Sequence, residues 1–215
     1  KIEMKISRMN GKPVAILLTH GHFDHILAAQ AVKEKYNIPI YASEKEETTL
    51  LNPKVNLSVF GHGSCTLDAD VYLKDLQVVE LAGFSVQMIE TPGHTVGSCC
   101  YYLKDEDVLF SGDTVFYGSV GRTDFPTGSM SRLIRSIKEL GYLVKLDTNG
   151  THPAVVRRLT EEKLIDYVAM DIKSSREHYD RLAGSSSEKL LSAVEETAAF
   201  LMNGCLDYEF RTTVV

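Results

Sequence analysis

The sequence predicts an α/β protein in two parts. Short β-branched runs alternate with segments of helical spacing, two of those runs end on imidazole or acidic residues, and from Gly141 onward strand and helix alternate to the end of the chain.

Along the chain, PVAILLT (13–19) is an aliphatic strand run closed by a polar cluster, and DHILAAQAVKEKY (24–36) then spaces its apolar residues as a helix does. IPIYAS (38–43) reads as a strand, and 57–76 is rich in loop residues. VQMIET (86–91) and SCCYYL (98–103) flank PGHTVG as a hairpin-like pair of strands. DVLFSGDTVFYG (107–118) again carries a hydrophobic strand into an acidic residue, and GSMSRLIRSIKEL (128–140) has helical spacing. Beyond it YLVKLDT, PAVVRRLTEEK, DYVAMDIK, SEKLLSAVEETAAFLMNG and DYEFRTTVV form a βαβαβ series, whose usual solution is a parallel sheet covered by helices. That change of pattern sets the expected domains at 1–140 and 141–215.

With 215 residues, 44% of them hydrophobic, the chain can bury a substantial core. A net charge of −6 without any dense basic block argues against nucleic acid and anionic membrane as partners and leaves a small molecule as the expected one. No apolar stretch approaches the roughly 18 residues that span a bilayer, and KIEMKISRMNGKP lacks the apolar segment of a signal peptide, so a cytoplasmic location is expected. Cys65, Cys99, Cys100 and Cys205 fit neither a disulfide framework nor a metal spacing and are expected as reduced, mostly buried thiols.

The chemistry concentrates in THGHFDH (19–25). Alternate side chains of an extended segment share a face, so His20 and His22 point the same way, and the turn into the following helix delivers Asp24 and His25. Imidazole nitrogen and carboxylate oxygen are the ligands that borderline cations such as zinc accept. TPGHTVGS (91–98) adds His94 on a Pro-Gly turn, and FSGDTVF (110–116) adds Asp113 where a strand ends at a glycine. Alone, a turn histidine or a strand-end aspartate is more often structural; beside the first tract they complete a candidate ligand set.

THGHFDH, TPGHTVGS, FSGDTVF and GSVGRTDFPTGS, in this order, resemble the metallo-β-lactamase superfamily over residues 13–140, and within it the small glyoxalase II-like (hydroxyacylglutathione hydrolase-like) thioester hydrolases. The resemblance implies an αββα sandwich in which His20, His22 and His94 hold one metal, Asp24 and His25 belong to a second, and Asp113 bridges the two. It implies two Zn2+ per chain, a metal-bound hydroxide that cleaves a thioester or related ester of a small molecule, and Asp24 and Asp113 as catalytic residues, Asp24 orienting the hydroxide and accepting its remaining proton. Arg122 matches a position where relatives bind a substrate carboxylate; a surface salt bridge to Asp124 is the competing explanation. Two other functions stay open: an iron-dependent persulfide dioxygenase with a single Fe2+, since GRTDF occurs in that group too, and a non-catalytic metal-binding chimeric remnant.

Two departures from the family are visible. Relatives have a longer lead into the VAILLTH strand, so the first domain is expected to be truncated at its N-terminus and one sheet to be incomplete. Their late Gly-His-Gly histidine is also missing. His62 in FGHGSC lies too early and reads as a loop histidine, His152 in NGTHPAV is the candidate substitute ligand, and His178 is expected to be solvated. The tail resembles the middle of a radical S-adenosylmethionine enzyme of the type that activates anaerobic ribonucleotide reductase, part of a (β/α) barrel, with Asp147, Asn149 and Lys173 toward the strand ends. The cysteine triplet that holds the cluster of such enzymes has no counterpart here, so radical chemistry is rejected. Residues 133–145 suit a helix of either family, and the chain reads as two fragments joined within it.

Overall fold

Alternation of side chains along three short strands organises the first part of the structure, a computed structural model that describes residues 2–61, 63–179 and 188–212. Ile16–Leu17 (β1), Ile40–Ser43 (β2) and Val71–Leu73 (β3) pair in parallel in the order β1-β2-β3. Leu18, Ile40 and Ala42 face one way and are buried with Ile26, Ala29, Leu50 and Leu67. Leu17, Tyr41, Val71 and Leu73 face the other way and pack against Val86, Met88, Cys99 and Tyr101. Burial on both faces is why these strands read as nearly continuous apolar runs.

Val86 to Tyr101 belong to a second sheet, an antiparallel meander of Val78–Leu81 (β4), Phe84–Glu90 (β5), Cys99–Leu103 (β6) and Val108–Phe110 (β7). The two sheets are joined where β1 ends: the Tyr101 hydroxyl donates to the Leu18 carbonyl at 3.0 Å, and the Cys99 amide donates to the Thr19 carbonyl at 2.8 Å. The next residue is His20. The helices of this part are Ile2–Arg8 (α1), Phe23–Ile26 (α2), Ala29–Tyr36 (α3), Glu47–Leu51 (α4) and Met130–Glu139 (α5), with a small hairpin of Val115–Phe116 (β8) and Ser119–Val120 (β9).

The chain divides into two compact units, Lys1–Ile137 and Lys138–Val215. In the second, Lys145–Thr148 (β10), Pro153–Glu161 (α6), Tyr167–Asp171 (β11), Glu188–Asn203 (α7) and Asp207–Arg211 (β12) alternate, and the strands pair in parallel in the order β10-β11-β12. Val168 and Met170 of β11 share a buried cluster with Val156 of α6 and with Val194 and Leu201 of α7. Among the described residues this is an open three-stranded sheet, a topology common to doubly wound sheets and barrel segments. Asp147 pairs with Arg211 at 2.9 Å, the Asn149 side chain accepts from the Thr151 amide and hydroxyl, and Lys173 pairs with Asp171 at 2.7 Å.

Several elements differ from the expectation. The helix expected over 24–36 is two, because the hydrogen-bond ladder breaks at Leu27–Ala28 although both residues keep helical dihedrals. β4 lies between a turn with Leu76 at positive φ, a position that usually carries glycine or asparagine, and a two-residue turn of Ala82 and Gly83, in which Gly83 is the one turn signal. The last strand closes at Arg211; the final three residues and His62 lie outside the described residues. No helix among the described residues is long and apolar enough to cross a membrane.

Leu73, fully buried between the two sheets, tests that layer. Leu73→Ala should destabilise the protein by about 2–5 kcal/mol, read as a lowered midpoint in urea denaturation at unchanged slope. A loss within experimental error would mean that the layer is not packed as described.

Candidate metal centre

Beyond the Cys99–Thr19 bond the chain leaves β1 in extended conformation, with His22 at φ −63° and ψ 148°, and turns at once into α2. His20 and His22 thereby turn inward together. His94 reaches them from the loop between β5 and β6, where Gly93 has φ +143° and lies so close to α5 that any side chain there would overlap the Leu133 backbone. Gly97, four residues after Gly93, lies as close to the backbone of Lys45 and Glu46.

The result is a cluster of three buried imidazoles. His20, His22 and His94 are 1%, 3% and 2% exposed, and their ring centroids lie 4.6–4.9 Å apart in edge-on pairs. One ligand atom from each lies within 4.8 Å of those of the other two, and His20, His25 and Asp113 form a second such group among the described residues. His20 is common to both. Asp113 stands between them, with Oδ1 3.6 Å from His25 Nε2 and Oδ2 3.6 Å from His94 Nε2.

The hydrogen bonds orient the rings. His94 Nδ1 donates to the Arg122 carbonyl at 2.7 Å, which turns Nε2 toward the other rings, and His22 Nδ1 lies 2.9 Å from that Nε2. His20 Nε2 and His22 Nε2 are buried without a hydrogen-bond partner. Buried polar atoms are nearly always partnered, so two orphaned ring nitrogens in one cluster are the observation that fits a bound cation.

The other expected site residues are placed as follows. Asp24 points an oxygen to 3.8 Å from His25 Nε2, is 64% exposed, and belongs to neither ligand group. Arg122 forms a two-point ion pair with Asp124 at 2.9 and 2.7 Å, its guanidinium over the Phe125 ring, so it is its carbonyl that contacts the cluster. His152 is exposed in the second unit beside the start of α6, with Nδ1 2.9 Å from the Thr151 hydroxyl, and is in neither ligand group. His178 is exposed.

One residue of the site went unread in the sequence. Glu46, 1% exposed, ends a one-turn 3-10 helix after β2 and accepts hydrogen bonds from the Gly21 amide at 2.7 Å, the Thr95 hydroxyl at 2.9 Å and the Gly97 amide at 2.9 Å.

A family model described as the metallo-beta-lactamase superfamily matches residues 1–150. The chain belongs to that superfamily. Among its curated relatives it is 39% identical over 141 residues to the probable metallo-hydrolase YqgX of Bacillus subtilis, covering 65% of this chain and 67% of that one. It is 32% identical over 145 residues to hydroxyacylglutathione hydrolase GloC of Haemophilus influenzae, covering 64% and 66%. Two solved structures share the fold: the BLEG-1 B3 metallo-beta-lactamase (TM-score 0.59, 40% identity, 64% of this chain and 67% of that one) and TTHA1623 in a di-iron-bound form (TM-score 0.56, 30% identity, 65% and 69%). The chain spans between 61% and 67% of the length of the curated relatives it matches. None of these likenesses supports the resemblance of the tail to a radical S-adenosylmethionine enzyme.

In this metallo-β-lactamase-superfamily cluster burial sets the charges. It pushes the His20 ring far below its ordinary value, with His25, His94 and His22 adding to the effect, and lowers His22 to about 4, with His94 as the next cause. Burial raises Glu46 to about 7, outweighing its hydrogen bonds from Gly21, Thr95 and Gly97. His20 and His22 are therefore neutral at pH 7, the form that takes a metal.

The pH dependence follows for the metal-free protein. The folded-state pKa of both histidines lies below the unfolded value of 6.5, so their contribution to stability is present above pH 6.5 and is lost as pH falls toward 4. Glu46 acts in the opposite sense, its contribution present below 4.5 and lost as pH rises through about 7. In the presence of chelator the melting temperature should fall between pH 6.5 and 5, and His22→Gln should flatten that fall. An unchanged slope in the variant would show that His22 does not carry it.

Proposed function

We propose that the chain is a metal-dependent hydrolase that cleaves a thioester or related ester of a small molecule, in the manner of a hydroxyacylglutathione hydrolase. The observation that carries this reading is the shared edge of the two ligand groups: three buried imidazoles with two orphaned nitrogens, and beside them Asp113 set between His94 and His25. The relative named for hydroxyacylglutathione hydrolysis supports the choice of a thioester.

His20, His22 and His94 would hold one cation, His25 and Asp24 would serve a second, and Asp113 would bridge them. Bound there, divalent cations supply an acidified water and polarise the carbonyl under attack. The hydrogen bond from His94 Nδ1 to the Arg122 carbonyl keeps Nε2 aimed at the cluster. Asp24, exposed and next to His25, is placed to accept the proton that the attacking water loses. Water adds to the carbonyl carbon, the carbon–sulfur bond breaks, and the departing thiolate takes up a proton. Arg122 would reach a substrate carboxylate only by opening its ion pair with Asp124.

Two measurements test the reading. Elemental analysis after purification without added metal should give two zinc ions per chain; a single iron with oxygen consumption would instead identify a persulfide dioxygenase, and no metal at all would leave a non-catalytic remnant. The di-iron form of TTHA1623 makes the metal analysis necessary. Secondly, Asp113→Ala should lower kcat/KM for a glutathione thioester by about 100-fold or more, with circular dichroism confirming the fold. Unchanged turnover would sink the two-metal mechanism. Faster cleavage of a β-lactam than of the thioester by the parent protein would reassign the substrate, a comparison that the likeness to BLEG-1 requires.

A further inference from the structure

We infer that Glu46 is a positioning residue of the metal centre, a buried carboxylate that clamps the loop carrying His20 and His22 to the loop carrying His94. The inference rests on the proposed metal centre and concerns how its geometry is held.

Glu46 uses both of its oxygens. Oε1 accepts from the Gly21 amide at 2.7 Å, and Gly21 is the residue between His20 and His22. Oε2 accepts from the Thr95 hydroxyl and the Gly97 amide, both at 2.9 Å, and Thr95 follows His94 directly. One side chain thus spans two segments that are far apart along the chain and carry all three buried imidazoles. Its own position is fixed from two sides: it ends the turn that follows β2, whose start is capped by the Ser43 hydroxyl, and its backbone lies against Gly97, where no side chain fits.

Bracing alone does not account for this choice of residue. Burying a carboxylate is costly, and its hydrogen bonds offset part of that cost. The donors explain the choice. Every group facing Glu46 is an N–H or O–H, and the ionised carboxylate, the form that a nearby dication favours, accepts at both ends. Glutamine would turn an NH2 group toward either the Gly21 amide or the Gly97 amide, leaving a buried donor facing a donor. The separation of the two loops then changes, and with it the 4.6 Å spacing of the His94 ring from those of His20 and His22. Metal sites tolerate displacements of only about 0.5 Å in their supporting groups.

The test is Glu46→Gln in the full chain, read in two ways. In the metal-loaded protein, competition titration should show Zn2+ binding weakened by about 10- to 100-fold, with a changed visible spectrum of the Co2+-substituted site. In the metal-free protein, the 15N imidazole signals of His22 and His94 should shift while the thermal transition stays cooperative. Parent-like Zn2+ affinity together with unmoved imidazole signals would overturn the inference. If Glu46→Gln does not fold, Thr95→Val removes one donor and keeps the carboxylate; it should show the same two changes at reduced size, and their absence would overturn the inference equally. Should the parent bind neither Zn2+ nor Co2+, the proposed function fails, and the imidazole signals alone decide for or against the clamp.

Discussion

Burial of ring nitrogen that hydrogen-bonds to nothing is the constraint on which the rest of the first unit depends. Nε2 of His20 and Nε2 of His22 are both in that state. Each unsatisfied buried group costs about 1–3 kcal/mol, a cost that a cation bound by the rings would offset, and the surroundings hold the rings together for it. They do so in layers. The inter-sheet core fixes the end of β1 through the bonds that Tyr101 and Cys99 make to Leu18 and Thr19, and the loop that follows has no freedom left when it reaches His20. Close backbone contacts at Gly93 and Gly97 then bring His94 to the same point. The two sheets are in this sense a frame that brings three buried side chains to one point.

The charges obey the same constraint. Burial lowers His20 and His22 and raises Glu46, so groups of both signs are driven toward neutrality in one small volume. Such a volume is a poor place for a lone proton. It is a good one for a cation that several neutral imidazoles can share, because a dication inverts the local preference and favours every lone pair and carboxylate around it.

Much of this was legible in the sequence where the information is local. His20, His22 and His25 lie within one short tract, and the end of a hydrophobic strand is enough to say that they turn together. His94 and Asp113 also sit at ends of strand runs, and the structure brings them to the tract. The parallel order of β10, β11 and β12 follows from periodicity in the same way. What could not be read depends on contacts made only after folding. Glu46 lies in SEKEE, which looks like a solvated charge run, and nothing local marks one of its acids as buried. In the sequence Arg122 stands out for its guanidinium, whereas its carbonyl makes the contact, and a backbone atom has no sequence signature.

The family match and the packing of the chain divide it at different places. The change of pattern at Gly141 implies two fragments joined within the helix of 133–145. The superfamily match nevertheless runs to residue 150, through α5 and through β10, and stops just before α6. The two compact units, however, divide at Ile137, inside α5, and β10 pairs with β11 of the second unit. The segment that the family shares and the segment that packs with the tail therefore overlap in β10. A helix followed by a parallel strand is a unit that many α/β architectures accept without change, since its apolar pattern demands only a neighbouring strand and a covering layer. Sequence ancestry and packing draw the border in different places because that unit satisfies both.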